Sequence, residues 1–335
     1  MRILVVKLTS LGDVIHTLPA VTDATNHIEN IQIDWLVEES FEVIPRWHPS
    51  VSNVYTAASR RWRKQPGKFL PELRALSKLV SRKPYDLIID AQGLLKSALL
   101  TRMAKGKRAG YDRFSIKESL ASQLYDLKLS VNPRQHAVNR TRQLFSKALG
   151  YNIDETICYG LNRGQFSAIE TSDPYFVFLH GTTWQSKQWP VEYWQQLCDI
   201  VLRNGFKIKL LWGNEDEYQR AVEIAKQRSN TEVCYKMNLD EIAVLISNAR
   251  AVVAVDTGLG HLAAALSVPC VSLYGATDSG RTGTIGVSQK HMQAVFECSP
   301  CLSRLCLYKG SSDLTPACFG QFSPRIVWNN VVQLI

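Results

Sequence analysis

The chain has 335 residues, 45% hydrophobic and 21% charged, an ordinary globular composition that excludes a largely disordered chain and suits two domains. No apolar run approaches the roughly 18 residues of a membrane-spanning helix. The formal net charge of +9 is uneven: residues 1–150 hold 24 Lys and Arg against 13 Asp and Glu, and residues 151–335 hold 15 against 17. A basic first half points to an anionic partner: a nucleic acid, an anionic membrane surface or a phosphorylated substrate. Of eight cysteines none precedes Cys158, and this usage does not suggest a disulfide framework.

In chain order, Arg2–Lys7 reads as a strand. Only four apolar residues precede Lys7, Asp13 follows soon after, and no small-residue cleavage site appears. This is a buried strand rather than a signal peptide, which makes the cytoplasm the default compartment. A helix is expected from near Gly12, kinked or ended early by Pro19. Ile31–Val37 and Asp86–Asp90 read as strands, and Pro71–Ser81, Leu95–Met103 and Ala137–Leu149 carry helical spacing. A loop-like stretch from Gly150 to Pro174 marks the boundary between domains. The alternation then restarts with strands at Tyr175–His180, Phe206–Trp212, Glu232–Tyr235, Ala251–Val255 and Cys270–Tyr274. Helices are expected at Val191–Arg203, Tyr218–Arg228, Leu239–Asn248 and Gly258–Leu266, with a terminal helix within Pro324–Ile335. Two successive sets of this kind imply an α/β chain of two Rossmann-like domains facing a cleft. The expected organisation is residues 1–160, residues 170–322 and a C-terminal helix at 323–335.

In open parallel sheets ligands bind beyond the carboxyl ends of the strands, so the residues after each strand carry the chemistry. After the first comes Lys7-Leu-Thr-Ser10-Leu-Gly12-Asp13. Asp13 reads either as a favourable charge at a helix start or as a carboxylate general base. After Tyr175–His180 come Gly181, Thr182, Thr183 and Lys187, which could hold a phosphate through N–H, O–H and ammonium groups, although no Walker phosphate loop is present. Glu215, Asp216 and Glu217 follow the next strand, where an acid can accept from ribose hydroxyls or simply balance a helix dipole. Asp256-Thr257-Gly258-x-Gly260-His261 is the most informative segment. An apolar strand ends at Asp256, and a small-residue helix then offers free N–H groups to a diphosphate, with His261 one turn in.

These segments together resemble the ADP-heptose:lipopolysaccharide heptosyltransferases of glycosyltransferase family 9. The anchors are Lys7-x-x-Ser10-x-Gly12-Asp13-Val14, Thr182-Thr183 with Lys187-x-Trp189-Pro190, Trp212-Gly213, and Asp256-Thr257-Gly258-x-x-His261, spread over roughly residues 1 to 275. Within the family the chain is most similar to the members that add the first heptose, through Arg60-Arg61-Trp62-Arg63-Lys64, Asp90-Ala-Gln92-Gly93-Leu-Leu-Lys96-Ser97 and His136-Ala-Val-Asn-Arg140-Thr-Arg142. Members that add the second heptose usually carry a Pro-Asn-Ser type segment where this chain has Ala91-Gln92-Gly93.

The resemblance implies a GT-B fold and inverting transfer of L-glycero-D-manno-heptose from ADP-heptose to 3-deoxy-D-manno-octulosonic acid (Kdo) of Kdo-lipid A. It places the enzyme peripherally on the anionic cytoplasmic face of the inner membrane, without a cofactor or catalytic metal. By resemblance Asp13 is the general base. Lys187, Thr182, Thr183, Thr257 and Gly258 hold the donor diphosphate with His261 nearby, Glu217 accepts from the ribose, Met237 packs on adenine and Asp256 accepts from sugar hydroxyls. Ser10, Gly12, Arg60, Arg61, Arg63, Lys64, Gln92, Lys96 and Lys117 are acceptor candidates, with Trp62 as an interfacial anchor.

Cys298, Cys301, Cys306 and Cys318 depart from other first-heptose members. They read as reduced structural cysteines, a structural zinc site or disulfides. A nicotinamide oxidoreductase would need a glycine fingerprint after the first strand, which is absent. A nucleic-acid binder would need a reading helix or an aromatic platform, and neither is evident, so no nucleic-acid partner is expected. A second-heptose transferase acting on an already heptosylated core, and a noncatalytic sugar-nucleotide-binding protein, remain the alternatives.

Overall fold

The computed structural model describes residues 1–166 and 173–335. The chain divides into two compact units, Met1–Leu161 and Asn162–Ile335. The expected start of the second domain, residue 170, lies outside the described residues.

The first unit contains β1 (Arg2–Val6), α1 (Leu11–Ile15), α2 (Leu18–His27), β2 (Gln32–Glu38), α3 (Val43–Arg46), β3 (Val51–Ala57), α4 (Ser59–Lys64), α5 (Phe69–Val80), β4 (Leu87–Asp90), α6 (Leu95–Thr101), β5 (Lys107–Tyr111), β6 (Leu127–Leu129) and α7 (Ala137–Leu149). Its sheet is parallel, ordered β3-β2-β1-β4-β5-β6. Ile3 to Val6 are all buried, as expected of a strand covered on both faces. The single helix expected after β1 is two. Pro19 falls in the first turn of α2, where its missing N–H costs nothing. β3, β5 and β6 lack a long apolar run. Their identity comes from pairing with strands already in the sheet, which sequence periodicity does not register.

The second unit contains β7 (Tyr175–Leu179), α8 (Val191–Arg203), β8 (Lys207–Leu210), α9 (Glu215–Ala225), β9 (Thr231–Val233), α10 (Leu239–Ser247), β10 (Ala251–Val255), α11 (Gly258–Ala265), β11 (Cys270–Tyr274), α12 (Ser279–Thr282), β12 (Gln289–Gln293) and α13 (Pro324–Val332). Its parallel order, β12-β11-β10-β7-β8-β9, repeats the first sheet's winding. The core gathers Phe176, Phe178, Trp189, Trp194, Leu197, Val253 and Phe319. Val327 and Val331 of α13 belong to it, so the terminal helix is part of this unit. The polar edge strand β12 has no counterpart in the sequence reading. α9 starts earlier than its apolar spacing suggests, because the Asn214 side chain accepts from the Glu217 N–H and caps the acidic triplet.

In each sheet the winding reverses between two adjacent strands: β1 and β4 in the first, β7 and β10 in the second. The crevices beyond those strand ends are where such sheets bind ligands.

Candidate active site

At the tip of β1, Lys7 is buried, with Nζ 3.0 Å from the Ala91 carbonyl oxygen and 3.9 Å from Asp13 Oδ1. Burial pushes its pKa below that of an ordinary lysine; Asp13 and Asp90 oppose this and Arg140 adds to it. The Ser10 N–H and hydroxyl both donate to Asp13 Oδ2, at 2.9 and 2.8 Å. One carboxylate oxygen of Asp13 is thus held in a capping box on α1, the other faces Lys7, and 45% of the side chain remains exposed. Gly12 is buried inside α1.

The β4 tip supports this loop. Gln92 Oε1 accepts the N–H groups of Leu8 and Thr9, both at 3.0 Å. The carboxamide oxygen of Gln92, an expected acceptor contact, is thus used on main chain, where it holds the segment that carries Asp13. Asp90 is buried among the Tyr125 hydroxyl (2.7 Å), the Ser97 hydroxyl (2.8 Å) and the N–H groups of Gln92 and Gly93. Burial raises its pKa against those hydrogen bonds. Sequence reasoning did not assign roles to Lys7, Asp90 or Arg140. A charged residue at the end of a buried apolar strand is the signal that marks the first two.

The basic cluster lies on α4. Two expectations change here. Arg61 is committed to Glu39 at 2.9 Å and Glu72 at 2.7 Å. Trp62 is buried with its indole N–H on Glu72 Oε2 at 2.7 Å, so it is a core residue and no interfacial anchor. Arg60, Arg63, Lys64, Lys96 and Lys117 are exposed.

In the second unit the loop after β7 carries Thr182, Thr183 and a short 3-10 turn, Gln185–Lys187. Lys187 Nζ lies 2.6 Å from Asp256 Oδ2 and 4.3 Å from the centre of the Trp184 ring. Thr277 donates to the same Asp256 oxygen at 2.5 Å, and the Thr182 hydroxyl donates to the Asp256 carbonyl at 3.2 Å. One oxygen of Asp256, expected to accept from sugar hydroxyls, is thus engaged by Lys187 and Thr277. Thr277 was not anticipated; only the fold brings it beside Asp256.

Glu217 Oε2 accepts the Gly213 N–H at 2.7 Å. Its carboxyl group lies directly over Gly181, where a Cβ would sit 2.6 Å from Glu217 Cδ. The β8 and β7 tips thus converge. Thr257 is the extended N-cap of α11 and uses no side-chain cap, and His261 is buried inside the helix. Met237 is half-buried just before α10.

Cys298, Cys301, Cys306 and Cys318 line one cavity of about 380 Å³. All are free thiols. Among the described residues no three His, Cys, Asp or Glu side chains are placed to share a metal ion. Burial pushes the Cys318 thiol up to about 11.

With this geometry in place, comparison with known proteins is decisive. Residues 73–311 match the profile of glycosyltransferase family 9 (heptosyltransferase). The chain belongs to that family. It is 48% identical over 340 residues to a protein of Pseudomonas aeruginosa named Lipopolysaccharide heptosyltransferase 1, covering 98% of this chain and 96% of the relative. Among solved structures it matches E. coli heptosyltransferase WaaC with ADP at TM-score 0.89 and 39% identity, over 100% of both chains. It also matches E. coli heptosyltransferase WaaC with ADP-2-deoxy-2-fluoro heptose at TM-score 0.85 and 39% identity, over 99% of both. The chain is therefore a family 9 heptosyltransferase with the Rossmann-like units of the GT-B fold. Among its described residues no helix is long and apolar enough to cross a membrane.

Proposed function

We propose that this heptosyltransferase moves L-glycero-D-manno-heptose from ADP-heptose to Kdo of Kdo-lipid A, with inversion, as the first heptose addition of the lipopolysaccharide inner core. The observation that carries this reading is Asp13. Its Oδ2 is fixed by Ser10 while Oδ1 stands 3.9 Å from buried Lys7, so a half-exposed carboxylate is held in one orientation beside a buried lysine. The name of the Pseudomonas aeruginosa relative and the nucleotides of the two E. coli structures support the choice of substrates.

In the transfer, an acceptor hydroxyl oxygen attacks the anomeric carbon of the heptose while Asp13 takes its proton. The bond from that carbon to the diphosphate breaks, and ADP leaves with the electron pair. Lys187, the hydroxyls of Thr182 and Thr183, and the α11 N–H groups at Thr257–Gly258 face the charge that develops on the diphosphate, with His261 nearby. Lys187 arrives already oriented by Asp256. Glu217 accepts from the ribose and Met237 packs on adenine. These groups meet the leaving charge without a metal. Arg60, Arg63, Lys64, Lys96 and Lys117 hold the anionic acceptor at the cytoplasmic face of the inner membrane, a peripheral association weakened by salt.

The test is ADP release from ADP-heptose with defined acceptors in the presence of EDTA, alongside Asp13→Ala. Release that needs Kdo-lipid A, survives EDTA and collapses in the variant is the expected result. Release only with a heptosylated acceptor makes the chain a second-heptose enzyme. Donor binding without release on any acceptor makes it a noncatalytic binder. Loss of release in EDTA overturns the metal-free step.

A further inference from the structure

Between α4, α5 and α6 the first unit holds a cavity of about 670 Å³. Its apolar lining comes from Trp62, Phe69, Leu73, Leu99, Leu100 and Met103. Leu73, Leu100 and Met103 also pack on the buried core, which fixes the floor. The indole N–H of Trp62 is turned away to Glu72, so the ring presents only carbon, edge to face with Phe69. The lining reaches solvent through an apolar residue, Leu99, which is 54% exposed. Leaving this much hydrocarbon in water is unfavourable.

Arg63 and Lys96 belong to the same lining. Among the described residues neither makes an ion pair, whereas Arg61 on the same helix as Arg63 is held by two glutamates. An apolar cavity alone would take any hydrophobe, and two cations alone any small anion. Together they select an amphiphile with a negative head and an alkyl chain.

We infer that this cavity binds one acyl chain of an anionic lipid, with Arg63 and Lys96 holding the head-group charge. The assignment of that chain to the lipid acceptor rests on the reading above; the binding itself does not. Transfer activity would then depend on the acceptor's tail as well as its sugar.

The test uses the full-length protein, with dansyl undecanoic acid as a fluorescent probe and monomeric alkyl phosphates as competitors. Saturable binding is expected, with dodecyl phosphate displacing the probe better than octyl phosphate, by up to about fourfold for each added buried methylene. Neutral dodecyl maltoside should compete about tenfold less well, as should dodecyl phosphate against Arg63→Ala/Lys96→Ala. Leu100→Trp and Met103→Phe, which fill the cavity, should abolish probe binding while melting near the parent temperature. Absence of saturable binding, no dependence on chain length, or undiminished binding by both folded variants overturns the proposal. So does binding to phosphatidylglycerol vesicles without binding of monomeric alkyl phosphate, which would indicate a membrane surface. If the filled variants fail to fold, the chain-length series on the parent protein decides. Failure of the transferase reading appears separately, as absent ADP release, and leaves the probe measurement untouched.

Discussion

Lys187 Nζ sits 2.6 Å from Asp256 Oδ2 and ties the loop after β7 to the tip of β10. Asp256 is buried and Lys187 nearly so. Removing the lysine strands a buried carboxylate whose Oδ2 keeps the Thr277 hydroxyl. Lys187→Met should cost about 2 kcal/mol in urea unfolding. Lys187→Met/Asp256→Asn should recover most of that loss. On the proposed role of Lys187 as the cation that meets the diphosphate, ADP affinity, by calorimetry, should stay at least about tenfold weaker in both.

Asp13→Asn keeps an oxygen for the Ser10 donors but cannot take a proton. The expected outcome is a fall in kcat of about 10²–10⁴-fold. ADP affinity should be unchanged if Asp13 is the proposed base, which acts on the acceptor proton and not on the nucleotide. A comparable loss of ADP affinity would place Asp13 in donor binding instead.

Arg142 and Asp23 form a buried pair that joins α7 to α2. Nε lies 2.6 Å from Oδ2 and Nη2 lies 3.1 Å from Oδ1, with further bonds from Nη2 to the carbonyls of Asp154 and Thr156. Arg142→Met should destabilise the chain by about 3–5 kcal/mol, because Asp23 is left buried and unpaired. Denaturant midpoints measure it.

Two buried histidines set an acid limit. Nδ1 of His48 accepts the Ser50 N–H, so Nε2 carries the proton and donates to Thr22 Oγ1 at 2.9 Å. Burial lowers the pKa of His48 to about 4; burial, and then Arg220, lowers that of His180 to about 3. In acid the unfolded chain therefore binds protons that the folded chain refuses. The stabilisation is complete above about pH 6.5 and is lost as pH falls toward about 4 and 3, at up to about 1.4 kcal/mol per pH unit for each histidine. Unfolding free energies between about pH 7 and pH 5 should show this slope, and His48→Asn should reduce it.

Gly110 on β5 faces the ring of Tyr125. A Cβ there would stand 2.3 Å from Cε2, and the tyrosine cannot swing away without giving up its bond to Asp90. Gly110→Ala should cost about 1–3 kcal/mol in thermal or urea unfolding.

The strands at Ala251–Val255 and Cys270–Tyr274 and the helices at Ala137–Leu149 and Val191–Arg203 were legible residue for residue, because each carries its own apolar run or stripe. The polar strands β5, between β4 and β6, and β12, at a sheet edge, were not. Lys107-Arg108-Ala109-Gly110-Tyr111 becomes a strand because β4 pairs with it. The placement of Asp13, Lys187, Glu217 and Asp256 just beyond strand ends was legible. Their partners were not: the Gln92 oxygen holds the Leu8–Thr9 main chain, and Trp62, which reads as a membrane anchor, is core.

Sequence by itself determined the two-fold alternation of strand and helix, the basic first half and the ordered motifs that mark the family, because each depends on residues near one another in the chain or on composition. Tertiary structure alone decided that Lys7 stands behind Asp13, that Asp256, itself bonded by Thr277, holds Lys187, and that three helices line an apolar cavity beside Arg63 and Lys96. Those relations depend on which strands and helices become neighbours, and winding order and packing settle that after local propensity has done its part.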